Sequence, residues 1–196
     1  RPDLRALSVL VRMPERNADS LLGAVITEAE KEGFNILPAS TYMEEHMPLP
    51  GHIAGPKPTA KQWKDAVFGM QTAKEISRLH IGQSVIVHEG TVVAVEAIEG
   101  TNNCIRRGGQ LGNGSPATLA KVARLGHDMR FDIPTIGPTT IETCAECGIR
   151  QIALEAGKTV LLERERVAEL CKRHKISLHA LDASGETSPY PEHPAV

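Results

Sequence analysis

Four carboxylates, one lysine and one arginine carry the chemistry open to this sequence. Glu96 and Glu99 lie in VAVEAIEGT (Val93 to Thr101), and Asp128 and Asp132 bracket Arg130 in HDMRFDIPTIGP (His127 to Pro138). Glu96 follows Val92, Val93, Ala94 and Val95, and Ala97 and Ile98 lie just beyond it. A carboxylate in so apolar a run is costly to bury unless a cation, a metal or a strong donor meets it. Glu96, Glu99, Asp128 and Asp132 together offer the hard oxygen donors that magnesium or manganese prefers. Lys121, within PATLAKVAR, and Arg130 are the cations that could meet phosphate oxygens, Arg130 in a two-pronged way. Thr101 could donate to a phosphate from a helix N-terminus; it could equally be a plain N-cap, and the local spacing favours the cap. Metal-assisted hydrolysis of a phosphoric anhydride is one chemistry that fits this set. The other reading is a network of structural ion pairs at the end of a buried sheet.

Composition narrows the alternatives. The chain has 196 residues, 41% of them hydrophobic and 23% charged, which suits one generous domain, or one with an extra lobe. Its net charge of −2 and 3% aromatic content supply neither the basic face nor the stacking platforms that nucleic acids need. No apolar run reaches membrane-spanning length, and the start carries no signal-peptide pattern. The sequence opens on Arg1 in mid-helix pattern, which is the look of a fragment. Cys104, Cys144, Cys147 and Cys171 form no secreted disulfide framework, so a reducing compartment is expected. Cys144 and Cys147 have zinc-like spacing but no second pair, and they fall in a helical stretch where packing cysteines are ordinary. His127 adjoins Asp128, whereas His80, His88, His174 and His179 read as surface or loop residues. Ser115 has no nucleophile pattern around it.

The elements that must position these residues follow from periodicity. Residues 1–17 read as a helical lead-in broken at Pro14, and Asp19 to Lys31 as a helix stopped by Gly33. FNILPAS suggests a short strand and TYMEEHM a turn of helix. Met47 to Pro58 is rich in proline and glycine and reads as a linker. Thr59 caps a long helix with Trp63, Ala66, Val67, Met70, Ala73 and Ile76 on one stripe. QSVIV and TVVAVEAI form a hairpin turning at Glu89-Gly90. A short helix from Thr101 or Asn102 to Arg107 dissolves into GGQLGNGSP, a glycine-rich loop placed to act as a lid. PATLAKVAR is a buried strand, Thr139 to Cys147 a helix, QIALEAG and TVLLE strands, Arg164 to His174 a helix and ISLHAL the last strand. This alternation predicts an α/β fold whose mixed sheet has flanking helices and at least one antiparallel hairpin. Residues 1–58 are expected to be an N-terminal helical and strand lead-in with linker, 59–181 the catalytic α/β domain, and 182–196 a disordered tail.

The runs FGMQTAKEISRLHIGQSVIVHEGTVVAVEAIEGTN, AKVARLGHDMRFDIPTIGPTTIE and ALEAGKTVLLERE together resemble the UDP-2,3-diacylglucosamine pyrophosphatases of the lipid A pathway, the LpxI type. The likeness is collinear from RPDLRAL to near His174, and VEAIEGT and DxRFDxPTIGP are its specific part. It implies a two-domain enzyme with the lipid substrate between the domains. It also implies magnesium-dependent hydrolysis of UDP-linked acylated glucosamine to UMP and 2,3-diacylglucosamine 1-phosphate. A cytoplasmic location, peripheral at the inner-membrane surface, goes with it, and a homodimer is compatible. The family's essential aspartate falls in HDMRFD, so Asp128 and Asp132 are both carried as catalytic candidates. Asn102 stands where the family usually has an acid, and Arg124-Leu125-Gly126-His127 where Lys-Pro-Gly-Gln is typical. The family's glycine-rich N-terminal domain has no counterpart before Arg1, which makes residues 1–58 the remnant of such a region. These departures leave room for a related nucleotide-sugar as substrate, or for a domain that binds one without turnover.

Overall fold

A computed structural model of the chain describes residues 4–12, 18–113, 115–124, 130 and 133–182. Asp128, Asp132 and His127, and the tail from residue 183, lie outside the described residues. The described part divides into two compact units, one of the residues up to Thr41 with Arg130, the other of residues 42–124 and 133–182.

In the first unit, helix α1 spans Leu4–Arg12 and α2 spans Ala18–Lys31. Helix α2 ends where Gly33 takes φ 86 and the Phe34 N–H returns to the Ala29 carbonyl at 3.2 Å. FNILPAS, read as a strand, has no regular structure. Among the described residues no strand pairs with it, and Pro38 cannot donate to a ladder.

The second unit is built on apolar runs that alternate in face. After a 3-10 turn at Glu44–His46 come β1 (Gly51–Ala54), α3 (Ala60–Arg78), β2 (Ser84–His88) and β3 (Thr91–Val95). Then follow α4 (Thr101–Leu111), β4 (Ala117–Lys121), β5 (Thr135–Ile136), α5 (Pro138–Glu146) and β6 (Ile149–Glu155). The chain goes on through β7 (Val160–Leu161), α6 (Arg164–His174) and β8 (Ser177–Leu181). Six strands form a mixed sheet in the order β1-β8-β6-β4-β2-β3, while β5 and β7 pair in parallel beside it. Strands β4, β6 and β8 are mutually parallel; β2, β3 and β1 join antiparallel. The mixed α/β architecture with its β2–β3 hairpin is the one expected.

Side-chain alternation sends each strand to two cores. Ile86, Leu119, Ile152, Leu154 and Leu178 pack under α4, α5 and α6, where Ile105, Ile141, Val167 and Leu170 meet them. Val85, Val87, Ala120, Val122 and Ala153 pack against Ala66, Met70 and Ala73 of α3. Truncating a fully buried residue such as Ile86 to Ala costs about 2–5 kcal/mol in a packed core. Helix α3 starts on a capping box, with Thr59 Oγ1 accepting from the Gln62 N–H and Gln62 Oε1 from the Thr59 N–H. The hairpin turn has φ 47 at Glu89 and φ 76 at Gly90, the twist-compatible geometry. No helix among the described residues is long and apolar enough to cross a membrane.

Three further readings change. The proline-rich stretch expected to be a linker carries β1, which pairs with β8 in the main sheet. The Gly108-Gly109 pair lies inside α4, not in a lid loop. A Cβ on Gly108 would stand 2.6 Å from Ile86, and one on Gly109 would stand 2.3 Å from the Cys147 carbonyl oxygen. Glycine is required there for close packing, which outweighs its low helix propensity.

His179, read as a surface residue, is the third, because β8 is internal and His179 is only 1% exposed. The Ser177 hydroxyl donates to the Pro56 carbonyl, so His179 Nε2–H must donate to Ser177 Oγ at 2.7 Å, and Nδ1 is buried without a partner. The rings of His52 and Trp63 stand 5.1 and 6.1 Å from it. Burial pushes the His179 pKa down to about 4, and repulsion from His52 adds to the shift. The unfolded chain takes up this proton near pH 6.5 but the folded chain only near 4, so the unfolded state binds more protons in between. The contribution to stability is intact above 6.5 and is lost as pH falls towards about 4. Urea unfolding at pH 7 and pH 4.5 should therefore show a pH-dependent loss smaller by about 2 kcal/mol in His179→Leu than in the wild type. Equal losses in the two proteins would contradict it.

Candidate active site

Register brings three strand ends together. Ser84 at the start of β2 pairs with Lys121 at the end of β4, and Val85 pairs with Val95 at the end of β3. Glu96 continues that ladder by one bond, its N–H donating to the Ser84 carbonyl at 2.9 Å. The neighbouring chain passes so close that a Cβ on Gly82 would lie 2.0 Å from the Glu96 carbonyl oxygen. This is the carboxyl edge of the parallel strands, where α/β sheets bind ligands.

Glu96 is 5% exposed and Lys121 6%, and one hydroxyl joins them. Thr101 Oγ1 donates to Glu96 Oε1 at 2.8 Å and accepts from Lys121 Nζ at 3.0 Å. Glu96 Oε2 accepts from the Gln83 N–H at 3.4 Å, and Lys121 also donates to the Thr135 carbonyl of β5 at 3.2 Å. The carboxylate that the sequence required to be partnered is thus met by donors, with its positive counterpart one hydroxyl away. Thr101 is not the N-cap. Gly100 occupies that position at φ 81 with no side-chain cap, while the Thr101 hydroxyl is drawn to the two charged groups.

Glu99 is held differently. Arg107 Nη2 donates to its Oε1 and to the Val95 carbonyl, and the Ala97 N–H donates to its Oε2 at 3.1 Å. The Arg107 guanidinium holds the Glu99 carboxyl below its usual pKa range. Arg107 was not singled out from the sequence. The signal was there, since Glu99, Asn103 and Arg107 recur every four residues along one face, and Asn103 also donates to the Glu99 carbonyl.

Of the four carboxylates read as metal ligands, Glu96 and Glu99 accept hydrogen bonds from protein donors in this structure. Among the described residues no three His, Cys, Asp or Glu side chains gather closely enough to hold an ion. The other two, Asp128 and Asp132, lie outside the described residues. Arg130 lies in the first unit, where its Nη1 donates to Glu30 Oε1 at 2.6 Å. Cys104, Cys144 and Cys171 are buried, and desolvation raises their pKa, to about 12 for Cys104 and Cys171. They act as packing residues.

A second buried carboxylate at this edge escaped the sequence reading. Glu155 ends β6 at 1% exposure and takes both oxygens to Lys74 Nζ of α3 at 2.6 Å. It also pairs with Lys158 at 3.0 Å and accepts the Ala123 N–H at 2.8 Å.

The Glu96–Thr101–Lys121 chain yields a stability test. Thr101→Val deprives two buried charged groups of one partner each, so urea unfolding should show a loss of about 1–3 kcal/mol. Thr101→Ser, which keeps the hydroxyl, should recover most of it. A Thr101→Val variant as stable as the wild type would mean that the hydroxyl does not hold the charged pair.

Residues 49–179 match the LpxI C-terminal domain, and residues 1–46 match the LpxI N-terminal domain. The chain is 38% identical over 177 residues to the UDP-2,3-diacylglucosamine pyrophosphatase LpxI of Caulobacter vibrioides (strain ATCC 19089 / CIP 103742 / CB 15). That alignment covers 85% of this chain and 63% of the relative, so the chain spans somewhat under two thirds of the relative's length. The matched C-terminal domain contains Glu96, Thr101, Lys121 and Glu155, and on that match the chain belongs to the LpxI family.

Proposed function

We propose that this chain carries the catalytic edge of a UDP-2,3-diacylglucosamine pyrophosphatase, splitting the anhydride to UMP and 2,3-diacylglucosamine 1-phosphate in lipid A biosynthesis. The observation that supports it most is the buried Lys121–Thr101–Glu96 chain at the carboxyl edge of the sheet, in a member of the LpxI family. The substrate class comes from the Caulobacter relative. Acyl chains on that substrate favour work at a membrane surface, with the protein peripheral on the cytoplasmic side.

Cleaving a pyrophosphate develops charge on the phosphoryl oxygens and on the leaving phosphate. Lys121 presents a positive charge held by Thr101 and by the Thr135 carbonyl, so little reorganisation is needed when phosphate arrives. Glu96 turns the Thr101 hydroxyl and keeps the local charge balanced while the site is empty of substrate. The peptide N–H groups at the start of α4 add donors and a favourable dipole beside them. Asp128 and Asp132 are the groups proposed to orient the attacking water or to bind a divalent cation, and Arg130 to contact phosphate. When bound, magnesium or manganese would supply neutralisation of the phosphoryl oxygens.

Turnover is measured as release of UMP from UDP-2,3-diacylglucosamine. Asp128→Asn or Asp132→Asn should lower kcat at least about a hundredfold without moving the urea midpoint, and Lys121→Met should lower it comparably. EDTA should abolish turnover and magnesium should restore it. Wild-type turnover in both aspartate variants would remove them from the mechanism, and full activity in EDTA would remove the metal.

A further inference from the structure

We infer that Glu155 and Lys74 are a positioning pair for the proposed pyrophosphate reaction, gripping the exit of β4 from the face opposite the substrate. The inference rests on the pyrophosphatase reading above, but one of its tests does not.

The geometry is a clamp around a single residue. Glu155 Oε2 accepts the Ala123 N–H at 2.8 Å, and Lys74 Nζ donates to the Ala123 carbonyl at 3.2 Å. The two side chains are themselves joined through both carboxylate oxygens at 2.6 Å. Both backbone polar groups of Ala123 are therefore fixed by one charged pair rather than by a neighbouring strand. An edge left by a strand that has run out would ordinarily be satisfied by water. Here it is satisfied by a carboxylate that is 1% exposed, an expensive arrangement unless the position it fixes matters.

What it fixes lies just before Ala123 in the chain. Two residues back is Lys121, whose side chain leaves the opposite face of β4 to reach Thr101 on α4. Strand alternation accounts for the division. Leu119 packs in the core under α4, with Lys121 on the same face, while Ala120 and Val122 pack towards α3, where Glu155 meets Lys74. The clamp thus pins the backbone behind the ammonium without touching the substrate side. Lys158, on the short turn after β6, adds a second positive charge beside Glu155.

Glu155→Gln, Lys74→Gln and the double variant test the assignment, with Lys74→Arg as the conservative change. Lys74→Gln is the safeguard, because Lys74 is partly exposed and an amide can still donate to the carboxylate. Each single Gln variant should lower kcat by about tenfold or more with KM changed less than about threefold, the signature of misplacement without lost binding. The double variant should be no worse than the poorer single one, and Lys74→Arg should recover most of kcat. Amide hydrogen exchange at Ala123 should accelerate at least about tenfold in Glu155→Gln while the core of β6 stays protected. Folded variants that keep wild-type kcat would overturn the assignment and leave a purely structural ion pair; so would additive losses in the double variant. If the wild type hydrolyses no substrate, the pyrophosphatase reading fails by itself. In that case unchanged Ala123 exchange overturns the clamp, and accelerated exchange retains it as the device that holds Lys121.

Discussion

Two opposite charges share one hydroxyl beneath the carboxyl edge of a β-sheet, and much of this fold is the set of conditions for that arrangement. A carboxylate and an ammonium removed from water lose several kcal/mol of hydration each, which their attraction recovers only when the remaining donors and acceptors are satisfied. Thr101 meets both demands at once because a hydroxyl donates and accepts. Its placement fixes a chain of requirements. Gly82 lets the segment that leads into β2 run against Glu96, Gly100 takes the N-cap position so that Thr101 begins α4, and β5 must lie where its Thr135 carbonyl meets Lys121. Change of any of these touches the charged pair before it touches the core.

The sheet supplies the rigidity. Strands β4 and β6, buried on both faces, carry Lys121 and Glu155 at adjacent ends, one facing α4 and the other facing α3. Helix α4 can carry Thr101 to that edge only because it lies flat on β2 and against α5, and the two adjacent glycines, Gly108 and Gly109, set that spacing. Packing far from the charges thus determines the distance between them, the sense in which core and chemistry are one problem in this unit.

Much of this was legible in the residues. Period-two apolar runs announced the hairpin and the buried strands, the stripe on α3 announced its packing face, and a glutamate after four apolar residues announced a partnered charge. The failures have a common physical cause, namely that local patterns do not report what packs against them. Gly108 and Gly109 look like loop because their value lies in the approach of Ile86 and Cys147, which no window of sequence contains. His179 looked superficial because the strand that covers β8, β1, was hidden in a run of prolines and glycines. Thr101 matched a cap because capping is the commonest use of threonine before a helix, and the competing partners come from strands β3 and β4. Glu155 and Lys74 stand 81 positions apart, beyond the reach of any motif. Glu99, read as a metal ligand, accepts from Arg107 eight positions along the chain, a pairing that the reading of VEAIEGT by itself did not include.

The central claim is that the Lys121–Thr101–Glu96 chain is where phosphate binds. An NMR titration with UMP, observing threonine methyl groups and the lysine side-chain ε carbons, addresses it without requiring turnover. The Thr101 methyl and the Lys121 ε carbon should show saturable shifts larger than those of Thr118 or Lys158, and Lys121→Met should abolish the Thr101 response. Saturable binding that leaves both Thr101 and Lys121 unmoved would contradict the account and place the phosphate elsewhere on the protein.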